Sequence, residues 1–166
     1  MNNMNQEQLF TDLYQSYSPG IFKICLGYTG DRSLAEDLLQ EVFLSVWNNM
    51  HKFRQEASWS TWIYRIAVNT CLTYLRKKKA PLVDVAVEIL GALPEEPGTK
   101  EQDIQLLYTC ISRLPEADRL IIGLVLDDKP YEEIAAIIGM NVNNLRVKIH
   151  RIKKQLTEIY NRYARL

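Results

Sequence analysis

The chain has 166 residues, is 47% hydrophobic and carries 20 basic and 20 acidic side chains. It can therefore fill one or two small cores, and it has no overall charge to draw it to nucleic acid or to a membrane. Cys25, Cys71 and Cys110 form no CxxC pair and have no histidine beside them, a pattern that suggests neither a zinc site nor a disulfide framework and points to free thiols in a reducing cytoplasm.

The zero sum hides a basic, acidic, basic layout: residues 1–79 carry 9 basic and 7 acidic side chains, residues 80–104 carry 1 and 6, and residues 105–166 carry 10 and 7. No signal peptide is seen, and no apolar run approaches the roughly 18 residues a membrane span needs. A cytoplasmic protein without membrane insertion is expected. Long stretches follow the helical rather than the alternating period, so the expected fold is all-α. Two small helical domains, at 6–79 and 104–166, would be joined by a flexible acidic linker at 80–103, the second containing a helix-turn-helix.

In the first domain, Ser33-Leu34-Ala35-Glu36 reads as a capping box opening a helix SLAEDLLQEVFLSVWNNM. Leu34, Leu38, Val42 and Val46 form its core face. The opposite arc presents Glu36, Asp37, Gln40, Phe43, Leu44 and Trp47, large apolar groups among acids, as protein interfaces do. A helix sandwiched between neighbours in its own domain would carry the same pattern.

The next element, FRQEASWSTWIYRIAVNTCLTYLRKKK at residues 53–79, has no acid from Ala57 to Val83. As a helix from Trp59 it gathers Trp62, Arg65, Asn69, Thr73 and Arg76 on one side, with Ile63, Ala67, Cys71 and Tyr74 on the other. Cations interleaved with an aromatic and an asparagine suit an opened nucleic-acid strand, because cations track phosphates and rings stack on exposed bases. A core tryptophan with a solvated flank is the alternative.

The stretch 80–103 holds Pro81, Pro94, Pro97, Gly91 and Gly98. Its about 24 residues could span about 80 Å if fully extended, although its middle, LVDVAVEILGAL, is too apolar for a plain tether.

In the second domain helices are expected at 102–114, 116–126, 130–138 and 142–163. PYEEIAAIIG gives a short helix with Ile134, Ala135 and Ile138 inward and Gly139 as its C-terminal cap, and Asn141 suits the next N-cap. Together with the helix that follows, this forms a helix-turn-helix over 131–153. Leu145, Ile149, Ile152 and Leu156 fall on one stripe of the second helix. Val147 points away from that stripe, on an arc with Asn143, His150, Arg151 and Lys154. Such an arc can lie in a DNA major groove, with cations on phosphates, asparagines on base edges and the valine against a thymine methyl. A solvated basic face with one stray valine is the competing reading.

Asp37-Leu-Leu-Gln-Glu-Val-Phe-Leu-Ser-Val-Trp47, Thr61-Trp-Ile-Tyr-Arg-Ile-Ala-Val-Asn69, Leu114-Pro-Glu and Tyr131-Glu-Glu-Ile-Ala-Ala-Ile-Ile-Gly139 resemble, in order and over nearly the whole chain, the signatures of extracytoplasmic-function sigma factors. These are the promoter-recognition subunits of bacterial RNA polymerase. The resemblance implies that Glu36, Asp37, Gln40, Glu41, Phe43 and Trp47 contact the clamp of the polymerase largest subunit. It implies that the loop from Phe53 to Trp59 captures a base flipped from the minus-ten element, and that Phe53, Arg54, Trp59, Thr61, Trp62, Arg65, Asn69 and Arg76 hold the melted strand. The minus-thirty-five duplex would be read by Asn143, Asn144, Arg146, Val147, Lys148 and Arg151. Implied partners are the RNA polymerase core and promoter DNA, with an anti-sigma factor as a further candidate; no cofactor and no metal is implied.

The sequence departs from the family pattern at Asn143-Asn144 and Val147, where Gly-Thr and then Ser are usual, and at Pro130, where a serine cap is common. Promoter preference therefore cannot be borrowed from relatives. Two other classes fit the sequence less well. A dimeric helix-turn-helix regulator acting without the polymerase leaves the Asp37 to Trp47 face unexplained. An enzyme needs a metal cluster or a nucleophile and base, whereas the only histidines are His51 and His150 and no phosphate loop is present.

Overall fold

The computed structural model describes residues 3–78 and 100–163; of the linker expected at 80–103, residues 80–99 lie outside them, and residues 100–103 are helical instead, with Glu101 and Asp103 in the first turn of the helix. Seven α-helices and one 3-10 turn follow in order, with no strand among the described residues: α1 (Asn3–Thr29), α2 (Arg32–Asn49), the turn Met50–Lys52, α3 (Trp59–Lys78), α4 (Lys100–Ser112), α5 (Glu116–Leu126), α6 (Tyr131–Ile138) and α7 (Val142–Tyr163). The first three helices pack on one another around Ile21, Cys25, Leu38, Val42, Val46, Ile63 and Ala67, all fully or almost fully buried.

Local chemistry sets the helix ends. The N-cap of α2 lies two residues before the expected one: Asp31 is the N-cap and accepts from the Leu34 amide at 2.8 Å. Glu36 instead pairs with Arg32 at 3.1 Å, so the Ser33 cap is corrected to Asp31. An aspartate is as good an N-cap acceptor as a serine, and it is the one placed at the chain reversal after Gly30. Ser58, next to the start of α3, accepts from the Thr61 amide at 3.1 Å. Gly139 closes α6 at φ 75°, and Asn141 caps α7 by accepting from Asn143 at 2.8 Å. Within α6 the inward residues are Ile134, Ala135 and Ile137; Ile138 is only half-buried.

The two domains lie against each other. α1 packs on α4 and α5, and α3 packs on α6, so the buried side chains join into one cluster. Two glycines permit this closeness. A Cβ on Gly123 would stand 3.3 Å from Ile24, and one on Gly20 would stand 2.6 Å from the Asp127 carboxylate and closer still to the Tyr64 hydroxyl. Arg119, almost fully buried in α5, donates to Leu114 O at 2.8 Å and crosses the seam to Tyr28 O at 3.1 Å. Tyr28 lies in the last turn of α1, where carbonyls lack helical partners, so a cation of the second domain caps a helix of the first. Burial lowers the Arg119 pKa from its ordinary value.

Candidate functional surfaces

On α2, Glu36, Asp37, Gln40, Glu41, Leu44 and Trp47 are exposed, Leu44 at 62% and Trp47 at 36%. Phe43 is not: it is 3% exposed, covered by Tyr14 at 4.7 Å between ring centroids and by Phe10 at 6.1 Å. The outward Phe43 of the sequence reading is thereby corrected. At 100° per residue it borders the core face beside Val42, and α1 roofs it over. Phe10 also meets the Trp47 ring edge-on at 5.1 Å, and Tyr14 is 43% exposed. The surface is therefore broader than α2 alone: an aromatic and aliphatic patch from two helices, beside four polar or acidic side chains. It suits a partner that is apolar at the centre and basic at the edge.

At the start of α3, Phe53 and Trp59 stack at 3.8 Å with 24° between planes, and Trp62 approaches each at 5.5 Å. The loop joining Phe53 to α3 turns at Gln55, whose φ is 58°, a left-handed conformation uncommon for a residue with a side chain. Arg54 is exposed; Thr61 is buried against Ser58. Farther along, Arg65, Asn69 and Arg76 are exposed on α3. Asn69, Thr73 and Lys77 line a groove of about 360 Å³ whose other wall is Glu41 and Ser45 of α2. Arg65 also donates through Nε to Ala136 O of α6 at 2.9 Å. Arg65, Asn69 and Arg76 are therefore exposed on one side of the helix, with Arg65 engaged by the second domain, whereas Trp62 is half-buried and packs against the core.

The third surface is α7. Leu145, Ile149 and Ile152 are buried, and Val147 is 53% exposed. Asn143, Asn144, Arg146 and Arg151 are exposed as well. Two of the cations are matched within the domain: Lys148 meets Asp118 of α5 at 2.6 Å, and Arg146 meets Glu132 of α6 at 3.4 Å. These pairs fix the helix to the two that precede it. Arg151, Lys153 and Lys154 are exposed. Asn144, Val147, Lys148 and Arg151 line a groove of about 530 Å³.

Residues 13–80 match sigma-70 region 2 and residues 104–156 match sigma-70 region 4. The chain is 37% identical over 134 residues to the ECF RNA polymerase sigma-E factor of Escherichia coli K12, covering 72% of this chain and 70% of that protein. It is 28% identical over 156 residues to the ECF RNA polymerase sigma factor SigM of Bacillus subtilis, covering 91% and 94%. Among solved structures, the sigma factor RpoE of Bartonella quintana in complex with the anti-sigma factor NepR superposes with a TM-score of 0.72 at 20% identity, over 92% of this chain and 96% of that one. CnrH in complex with the cytosolic domain of CnrY superposes at 0.70 and 16% identity, over 93% and 89%.

The chain belongs to the extracytoplasmic-function sigma factors. It directs the bacterial RNA polymerase core to promoters.

Proposed function

We propose that the three surfaces divide the work of promoter recognition. Residues 6–79 form the domain that docks on the polymerase clamp and holds the minus-ten strand, the stretch before α4 links, and the second domain from α4 onward reads the minus-thirty-five duplex. Glu36, Asp37, Gln40, Glu41 and Trp47 make the clamp contact, with Phe10 and Tyr14 enlarging its apolar centre and Phe43 supporting them from beneath. Phe53, Trp59 and Trp62 receive a base drawn from the stack, Arg54, Arg65, Asn69 and Arg76 follow its strand, and Thr61 holds the loop through Ser58. Asn143, Asn144, Val147 and Arg151 face the major groove, while Arg146 and Lys148 brace the recognition helix as well as adding positive potential.

The observation that carries this reading is the aromatic cluster at the start of α3 beside exposed cations, on a helix without a single acid. Duplex DNA offers no π-face to such a cluster; an opened strand does. The role is non-enzymatic and cytoplasmic. Because RpoE of Bartonella quintana was solved in complex with the anti-sigma factor NepR, an anti-sigma factor is a candidate partner here too. The test is Trp62→Ala on two templates. Open-complex formation should fall on duplex promoters and much less on promoters already mismatched at the minus-ten element; equal losses would make Trp62 a structural residue only.

A further inference from the structure

We infer that Cys25 and Cys71 form a redox site: a buried dithiol that a hydroperoxide converts to a disulfide tying α1 to α3, with loss of promoter opening until the disulfide is reduced. The site lies inside the first domain, apart from the three surfaces described above. The two sulfurs face each other from neighbouring helices at 4.0 Å, one sulfhydryl donating to the other sulfur, and both residues are fully buried. Cys110, on α4, is buried too but makes no sulfur contact among the described residues. No third histidine, cysteine or acid joins the pair to make a metal site among the described residues, so the chemistry the pair offers is that of two sulfurs alone.

Both are thiols at rest. The hydrogen bond with Cys25, reinforced by burial, raises the Cys71 pKa well above its ordinary value, and a neutral thiol is a poor nucleophile. Oxidation therefore starts when the end of α1 opens. Pro19 stands inside that helix, where it lacks an N–H and removes a helical hydrogen bond, so the stretch from Gly20 to Thr29 that carries Cys25 can open at less cost than the domain as a whole. A sulfur that is reached and ionised takes an oxygen from the hydroperoxide, giving a sulfenic acid and leaving an alcohol or water. The other thiol attacks that sulfur, the S–S bond forms, and the hydroxyl departs as water with the attacking thiol's proton. The two thiols are oxidised and the O–O bond is reduced.

From 4.0 Å the sulfurs must close to a bond of about 2.0 Å. Ile21 and Ile24 of α1 and Ile63 and Ala67 of α3 are fully buried, and a close-packed core leaves little room for the sulfurs to turn alone. The helices therefore take up part of the approach. Asn69 and Arg76 flank Cys71 along α3, so drawing that helix towards α1 displaces the side that follows the minus-ten strand. This consequence rests on the role proposed above for α3; formation of the disulfide does not.

The test oxidises the full-length folded protein with hydrogen peroxide, caps the remaining thiols and maps the cysteines by mass spectrometry without reduction. A Cys25–Cys71 disulfide is expected, with Cys110 still a thiol. With the peroxide removed before core polymerase is added, promoter opening should fall about threefold or more and return on treatment with dithiothreitol. Cys71→Ala should be insensitive to the peroxide, with Cys71→Ser in its place if the alanine variant fails to fold, whereas Cys110→Ala should respond like the unaltered chain. Absence of the Cys25–Cys71 disulfide from the oxidised folded protein, a loss that persists without Cys71, or a disulfide that leaves promoter opening intact would each overturn the redox site. A reduced chain that opens promoters but does not bind a premelted minus-ten strand would instead remove the strand-holding role of α3, whether or not the disulfide forms.

Discussion

Val147 and Gly20 are single positions where packing and function can be separated. Val147 is 53% exposed on a helix whose Leu145, Ile149 and Ile152 are at most 2% exposed, so its side chain contributes little to the core, and a valine facing a groove can discriminate by touching a thymine methyl. Val147→Ala should leave the thermal midpoint nearly unchanged and alter preference at one base pair of the selected binding site, with the salt dependence preserved. Identical selected sites for both proteins would leave the valine a stray apolar residue. Gly20 should behave in the opposite way. Alanine is favoured over glycine within a helix by about 1 kcal/mol, but the added methyl would press on Asp127 and Tyr64, and overpacking costs about 1–3 kcal/mol. Gly20→Ala should therefore lower stability on balance by up to about 2 kcal/mol, seen as an earlier denaturant midpoint; a later midpoint would mean that the seam is looser than described.

At the scale of the helix, α2 and α7 show what the sequence could and could not tell. Periodicity found the buried stripes of both, and Gly139 with Asn141 marked the helix-turn-helix, because these signals are local. The face of α2 was misjudged at Phe43, since a helical wheel cannot say that Phe10 and Tyr14 of α1 lie over it. The Leu9, Phe10, Leu13, Tyr14 and Tyr17 spacing at three and four residues is the signal for that covering helix, which runs on through Pro19. Likewise Asp118 and Glu132 are far enough from Lys148 and Arg146 in sequence that their ion pairs belong to tertiary structure. Those pairs change what substitution should do. Lys153→Ala should weaken binding to all duplexes about equally and lower the salt slope by about one unit. Lys148→Ala should also destabilise the second domain, because it strands Asp118, whose side chain is 12% exposed. Equal melting temperatures for the two variants would contradict the brace. On α2, Asp37→Ala with Gln40→Ala should weaken binding to core polymerase while leaving helical content intact, both residues being exposed; unaltered affinity would remove α2 from the interface.

For the molecule as a whole, the domain seam was the least legible feature. Nothing in a helical period announces that Tyr64 meets Asp127 or that Arg119 caps α1 across the seam. Hydrogen bonds of this kind contribute about 0.5–1.5 kcal/mol each in net terms, and side chains such as Ile24 about 1.5–3 kcal/mol on full burial, so the seam is held by apolar contact and given its register by polar groups. The account turns on the chain being the factor that gives core polymerase its promoters, and one measurement tests this most directly: mapping of transcript 5′ ends on a bacterial genomic DNA library with purified core polymerase alone and with core plus this chain. The chain should create a set of discrete new start sites with a shared pair of upstream elements, and Asp37→Ala with Gln40→Ala should reduce them together. The same start sites with and without the chain would contradict the account.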